Sequence, residues 1–163
     1  MKKITVDAAD MRILCAVQQH GQLSKIKLSE LVSLSPTPCW VRFNRLKEAG
    51  LIRGYHADIS LDKIVNVSKV IVTISLKGHQ KSAFDRFEAY IGKVDEIVEC
   101  IATGGGMDYV LKVVAPSLSA FQNVMDNLLS AELGVERYMT YIATRDIKST
   151  QPKLSCLMDN SEH

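Results

Sequence analysis

The hydrophobic positions of this chain change their period partway along it. Over the first fifty residues they recur every three or four. Ala9, Ile13, Ala16 and Val17, with Leu14 beside them, line one side of a helix from Asp7 to His20. Asp7 is a natural N-cap, Asp10 sits in the first turn where the helix dipole favours an anion, and Gly21 ends the run. Ser24 caps a shorter helix, Lys25 to Val32, whose buried stripe is Leu28, Leu31 and Val32. Ser33 and Leu34 form a break. Ser35 is a good N-cap, and Pro36 and Pro38 fit the first turn that follows, where a missing N–H costs nothing. A third helix therefore runs from Pro36 to about Ala49, with Gly50 as its stop.

Further on, the period shortens towards two. Arg53 to Ser60 reads as an extended linking strand and Leu61 to Ser68 as a connector. Lys69 to Leu76 alternates around Val70, Val72 and Ile74 and predicts a strand. Gln80 to Ile91 is helical, with Ala83, Phe84, Phe87 and Ile91 on one side. Glu96 to Ala102 and Met107 to Val114 predict two strands about the loop Thr103-Gly104-Gly105-Gly106. Pro116 and Ser117 start a helix through Leu129, and Val135 to Ala143 is a last strand. The order βαββαβ is that of a ferredoxin-like sheet. The chain is thus α+β. A helix-turn-helix, winged-helix-like unit spans 1–52, a linking strand and connector 53–68, a ferredoxin-like unit 69–148 and a partly ordered tail 149–163. In the tail Leu154, Cys156, Leu157 and Met158 are the residues able to dock.

Composition narrows the class. Of 163 residues 47% are hydrophobic, enough for a buried core. No run of 18 apolar residues exists to span a membrane, and Met1 to Asp7 lacks the apolar stretch of a signal peptide, so a soluble cytoplasmic protein is expected. The net charge of +2 is uneven: residues 1–60 carry nine Lys/Arg against five Asp/Glu, and the remainder is net acidic. A basic front half points to a polyanion. Cys15, Cys39, Cys100 and Cys156 form no CxxC pair, and His20, His56, His79 and His163 stand at no metal-ligand spacing from them. They read as small hydrophobes rather than as zinc ligands or a disulfide framework.

The third helix carries the candidate chemistry. Turned at 100° per residue, it puts Cys39, Phe43, Leu46 and Gly50 on one side, with Trp40 and Lys47 at the edge. Thr37, Val41, Asn44 and Glu48 lie opposite, flanked by Arg45, with Arg42 further round. Two short helices across a tight turn, behind a packing helix, make a helix-turn-helix whose second helix enters a major groove. Arg45 suits guanine O6/N7 or a phosphate, Asn44 suits adenine N6/N7, and Thr37 and Val41 suit a thymine methyl. Ser35, Arg42 and Lys47 suit phosphate, which positions without specifying. With Pro38 at the helix start, these are the candidate DNA-contacting residues.

Ser35-Pro36-Thr37-Pro38-Cys39, then Arg42, Arg45, Leu46, Gly50, Ile52 and Gly54-Tyr55, resemble the DNA-binding domain of the Lrp/AsnC (leucine-responsive regulatory protein / AsnC) family of transcription regulators. Glu99-Cys100, Gly105, Asp108-Tyr109, Leu111-Lys112-Val113, Gly134-Val135 and Thr140-Tyr141 resemble its ligand-sensing domain. The resemblance covers roughly 7–148. It implies double-stranded DNA with a pseudo-palindromic site as partner, and a small amino acid or derivative, bound between dimers, as effector. It also implies a homodimer that assembles to a tetramer or octamer. A four-stranded sheet covered on one face leaves the other bare, which a dimer would cover. The effector region falls on Gly104, Gly105, Gly106, Met107 and Asp108, with Thr140 nearby. There the loop amides suit a carboxylate and Asp108 an ammonium. Val41 and Asn44 depart from the family's usual polar and basic residues, and Gly106 and Met107 from its usual acidic and aromatic ones. The loop variant points to a roomier, less charged pocket.

Two other readings share this architecture: a tetrapyrrole decarboxylase and a metabolite-binding module without a DNA role. No paired nucleophile and base, and no coupling of His79 to Asp108, supports the first. The complete front unit disfavours both. No cofactor and no metal are expected.

Overall fold

A computed structural model of the chain describes residues 5–78 and 80–158, the side chains of Asp62, Leu157 and Met158 aside. It divides into two compact units. One comprises residues 1–58 together with 149–163; the other is 59–148.

The first unit contains three helices, α1 (Ala8–His20), α2 (Lys25–Leu31) and α3 (Pro36–Glu48). Each begins where a sequence signal says it should. Asp7 caps α1 in a reciprocal box: its side chain accepts from the Asp10 amide, and the Asp10 side chain accepts from the Asp7 amide. Gly21 ends α1 at φ +73, a conformation that favours glycine. Ser24 caps α2 through the Lys27 amide. Ser33, at φ +53, turns the chain between α2 and α3. The core of this unit is Ile13, Val17, Leu28, Val32, Cys39, Phe43 and Leu46, and Trp40 stacks on Phe43 at 4.8 Å.

Asp10 stands in the first turn of α1, as expected, and is fully buried. One expectation is corrected: Arg53 to Ser60 belongs to no strand, so no wing of sheet follows α3. The tail has a seat. Residues Leu154–Met158 form a short helix, α6, held to α1 by Gln18, whose side-chain amide donates to the Pro152 carbonyl at 2.8 Å and accepts from the Leu154 amide at 3.0 Å. The tail borders a groove of about 1150 Å³ lined also by Leu14, Val17, Ile52 and Tyr55. Leu154 is half-buried; His79 and His163 lie outside the described residues.

The second unit is a four-stranded antiparallel sheet with spatial order β2-β3-β1-β4. Its strands are β1 (Ser68–Leu76), β2 (Ile97–Ala102), β3 (Tyr109–Ala115) and β4 (Val135–Ile142); helices α4 (Lys81–Ile91) and α5 (Leu118–Ser130) make the crossovers. One side of the central strands, Val70, Val72, Ile74 and Leu76 of β1 with Tyr109, Leu111, Val113 and Ala115 of β3, is buried against Phe87, Phe121, Met125 and Leu128. Register fixes the opposite side. Thr73 lies across from Met139 on β4 and Val110 on β3, and Ile71 across from Tyr141 and Lys112. Ile101 of β2 faces Val110 in the same row. Among the described residues no helix covers this face: Met139 is 44% and Tyr141 52% exposed. Thr73 Oγ1, in its middle, is buried without a hydrogen-bond partner.

Candidate nucleic-acid interface and effector loop

The second helix of the helix-turn-helix presents its predicted outer side. Cys39, Phe43 and Leu46 are buried, while Val41 is 64% exposed. Ser35, Thr37, Pro38 and Lys47 are exposed and Asn44 is half-buried. Ser35 stands at the N-cap but makes no side-chain capping bond, so its hydroxyl is not committed to the helix. Thr37 accepts from Lys25 Nζ at 3.3 Å. Lys25, at the start of α2, thus joins the basic rim; only the approach of α2 to α3 in the fold, not its place in the sequence, brings it there.

The two arginines are where the structure adds most. Arg42 Nη1 donates to Asp7 Oδ2 at 2.6 Å and to Asp10 Oδ1 at 3.0 Å. Arg45 Nη2 donates to Asp10 Oδ2 in a very short contact. The Asp10 side chain is 1% exposed, against 36% for Arg42 and 53% for Arg45. Each guanidinium is therefore held at an inner end and offers an outer one. Hydrogen bonds from the Asp10 amide and from Arg42 hold the Asp7 carboxyl at about 2. Burial pushes the Asp10 carboxyl up, but the Asp7 amide, Arg42 and Arg45 outweigh it and the net shift is downward. Pairing with Asp7, then with Asp10, raises Arg42. These carboxylates stay ionised at any physiological pH.

In the second unit the loop between β2 and β3 is tightly tied. Thr103 Oγ1 donates to the Met107 carbonyl at 2.6 Å and the Thr103 amide to the Asp108 carbonyl at 2.8 Å. Gly105 has φ +125 and the glycines have open space around them. Among the described residues, none of the bonds that hold the loop uses the amides of Gly104, Gly105 or Gly106. Asp108 does structural work: its amide donates to the Ile74 carbonyl at 2.9 Å, and its Oδ2 accepts from the Leu76 amide at 2.8 Å, where β1 shifts register against β4. The residue of β4 that reaches the loop is Arg137, whose Nη2 donates to the Gly106 carbonyl at 3.2 Å and contacts Met107 Sδ. Thr140 lies across from Val72, on the opposite side of the sheet from Arg137. Strand register would have found Arg137, since Ser75, which it faces, ends the same row as the loop. Among the described residues no three His, Cys, Asp or Glu side chains gather as a metal site.

An arginine-bearing helix in a helix-turn-helix, followed by a ferredoxin-like sheet with an open glycine loop, defines a DNA-binding regulator with a sensing domain. Comparison with known proteins places it further. Residues 6–53 match the winged helix-turn-helix DNA-binding model and 69–152 the Lrp/AsnC ligand binding domain. The transcriptional regulatory protein DoeX of Halomonas elongata is 40% identical over 92% of this chain and 95% of its own. The crystal structure of an AsnC family transcriptional regulator from Agrobacterium tumefaciens superposes with a TM-score of 0.84 at 29% identity, covering 94% of this chain and 99% of that one. A Neisseria meningitidis transcriptional regulator in complex with L-methionine gives 0.81 at 30% identity, covering 93% and 99%. This chain belongs to the Lrp/AsnC family of transcription regulators.

Proposed function

We propose that this regulator binds a pseudo-palindromic DNA site as a homodimer and that a small amino acid sets its hold on that site. The observation that carries the reading is the pairing of an outward, arginine-bearing α3 with a sensing loop whose three glycine amides take no hydrogen-bond partner among the described residues. The contacts proposed for DNA are Thr37, Val41, Asn44 and Arg45 to bases, and Ser35, Pro38, Arg42 and Lys47 to the backbone. The uncovered sheet face around Thr73, Met139 and Tyr141 supports a face-to-face dimer, and two-fold symmetry then presents two reading helices. Assembly of such dimers into a tetramer or octamer would bring effector loops together. The role is one of binding rather than catalysis, exercised in the cytoplasm where the DNA is.

The ligand carboxylate is assigned to the amides of Gly104 to Gly106 and to Arg137. The ammonium is assigned to carbonyls of the loop and to Asp108. That the Neisseria relative is a complex with L-methionine supports an amino acid, and Met107, half-buried beside Arg137, supports an apolar side chain. Ligand acts by population shift. It biases the assembly only by its difference in affinity between two arrangements, and DNA affinity follows.

The test is a thermal-shift survey of the amino acids. A binder at a hundred times its Kd stabilises the native state by about 2.7 kcal/mol. Replacing Arg137 with Ala removes a charge-assisted bond and should weaken that binder by about ten- to a hundredfold, with DNA binding in its absence unchanged. A survey with no shift for any amino acid removes the effector reading. DNA binding itself is checked by its log–log salt slope, about −0.9 for each phosphate neutralised.

A further inference from the structure

We propose that Asp10 is a positioning residue for DNA reading: its buried carboxylate fixes the outward ends of Arg42 and Arg45 and holds down their indiscriminate attraction to phosphate. The inference rests on the reading that α3 contacts DNA, and goes beyond it by naming a residue that never touches the duplex.

Asp10 lies on α1, not on the reading helix, and is sealed from solvent. Its two oxygens divide the work. Oδ1 receives Arg42, and Oδ2 receives Arg45 together with the Asp7 amide at 3.2 Å. Arg42 and Arg45 are three residues apart on α3 and so lie on adjoining parts of its surface, where two like charges repel. A carboxylate between their inner ends removes that repulsion and sets the angle between the two planes. Asp7 adds a second acceptor for Arg42 only. The arrangement is also coupled to the start of α1, because the Asp7–Asp10 capping box and the arginine pairing use the same two side chains.

Two consequences follow for DNA. A guanidinium has five donors in a planar fork, and bidentate reading of a base edge needs that plane correctly turned. A long side chain fixed beforehand loses little rotamer freedom on binding, whereas a loose one loses much. Fixing therefore favours the sequence that matches the fixed geometry. The negative charge acts on the other side of the balance. Affinity for arbitrary duplex is mainly phosphate attraction, and an adjacent carboxylate reduces it. Asp10 thus raises the ratio of specific to non-specific binding rather than affinity as such.

Asp10→Asn keeps the size and an acceptor oxygen but removes the charge. Its binding would be measured over a range of salt against two probes: short duplexes enriched from a random-sequence pool by the wild-type chain, and the unselected pool. Expected are an affinity for the unselected pool raised by about three- to tenfold at low salt, no gain for the enriched duplexes, and a salt slope steeper by about one unit. A purely structural role would lower both affinities by one factor and leave the slope alone; a ratio within about twofold of wild type overturns the proposal. Should the Asn variant fail to fold, Asp7→Ser retains a capping oxygen and takes away one of the two carboxylates that hold Arg42, leaving it on Asp10 alone. It should move the ratio in the same direction by a smaller factor, and an unchanged ratio there overturns the proposal that carboxylate pairing sets it. Arg45→Ala separates this from the underlying reading. If it leaves binding to both probes unaltered, α3 is not the contact and both ideas fall. If it weakens the enriched duplexes while Asp10→Asn changes no ratio, only the role of Asp10 is lost.

Discussion

On α3 the arginines that face outward are already partnered, whereas on the sheet face away from α4 and α5 the large side chains Met139 and Tyr141 stand half exposed with nothing of the described chain over them. Both surfaces await something, but they await it differently. The arginines keep their carboxylate partners and meet DNA with their outer ends, so their attraction to phosphate is already partly offset, and selectivity comes readily. The apolar face exchanges water for protein, so its gain grows with area and it discriminates less. A transient, sequence-sensitive contact is built from the first kind of surface and a lasting, self-complementary one from the second.

The sharpest way to break the contrast is Met139→Asp. Two-fold symmetry puts two new carboxylates in the apolar row, each at a desolvation cost of roughly several kcal/mol, and sedimentation should show monomers where the unaltered chain gives dimers. Survival of the dimer would place the interface elsewhere. Next in size is Leu46→Ala, which empties a fully buried site in the smaller core and should cost about 2–5 kcal/mol. Denaturant unfolding should show the first unit weakened and the sheet unit unmoved; a loss shared by both units would mean they unfold as one. The smallest effect is acid sensitivity. The Asp7 carboxyl is held at about 2 in the folded chain against an ordinary 3.8. A lowered value stabilises the fold above the ordinary pKa, and that contribution drains away as pH falls from about 4 towards 2. Asp10 is lowered too and adds to it. Melting points across this range should fall less steeply for Asp7→Asn than for the unaltered chain, and parallel curves would show that the pairing contributes nothing to folding.

What could be read from residues alone divides along a physical line. Ser24, Ser117 and Asp7 cap the helices they should because capping is a local bargain between one side chain and the amides just after it. The buried side of β1 follows from alternation, and the buried stripe of α3 from its wheel. The roles of Asp10 and Arg137 did not follow, because each acts through a partner more than thirty residues away. Asp10 was read only as a first-turn anion, since its position near the helix start accounts for a carboxylate without the two arginines that meet it. Asp108 was legible as a carboxylate suited to an ammonium; that one of its oxygens accepts from the Leu76 amide was not, because that partner too lies more than thirty residues away.

The first unit draws on two separate stretches of sequence, with the sheet unit intervening between 58 and 149. Gln18 meets Pro152 across 134 positions of sequence. A ribosome delivering about 5–20 residues per second therefore releases α1, α2 and α3 roughly 5–20 s before the segment that closes over α1. Every nascent chain passes through an interval in which its reading helix exists and its last clasp does not. A chain cut short before Ser149 would leave that interval permanent.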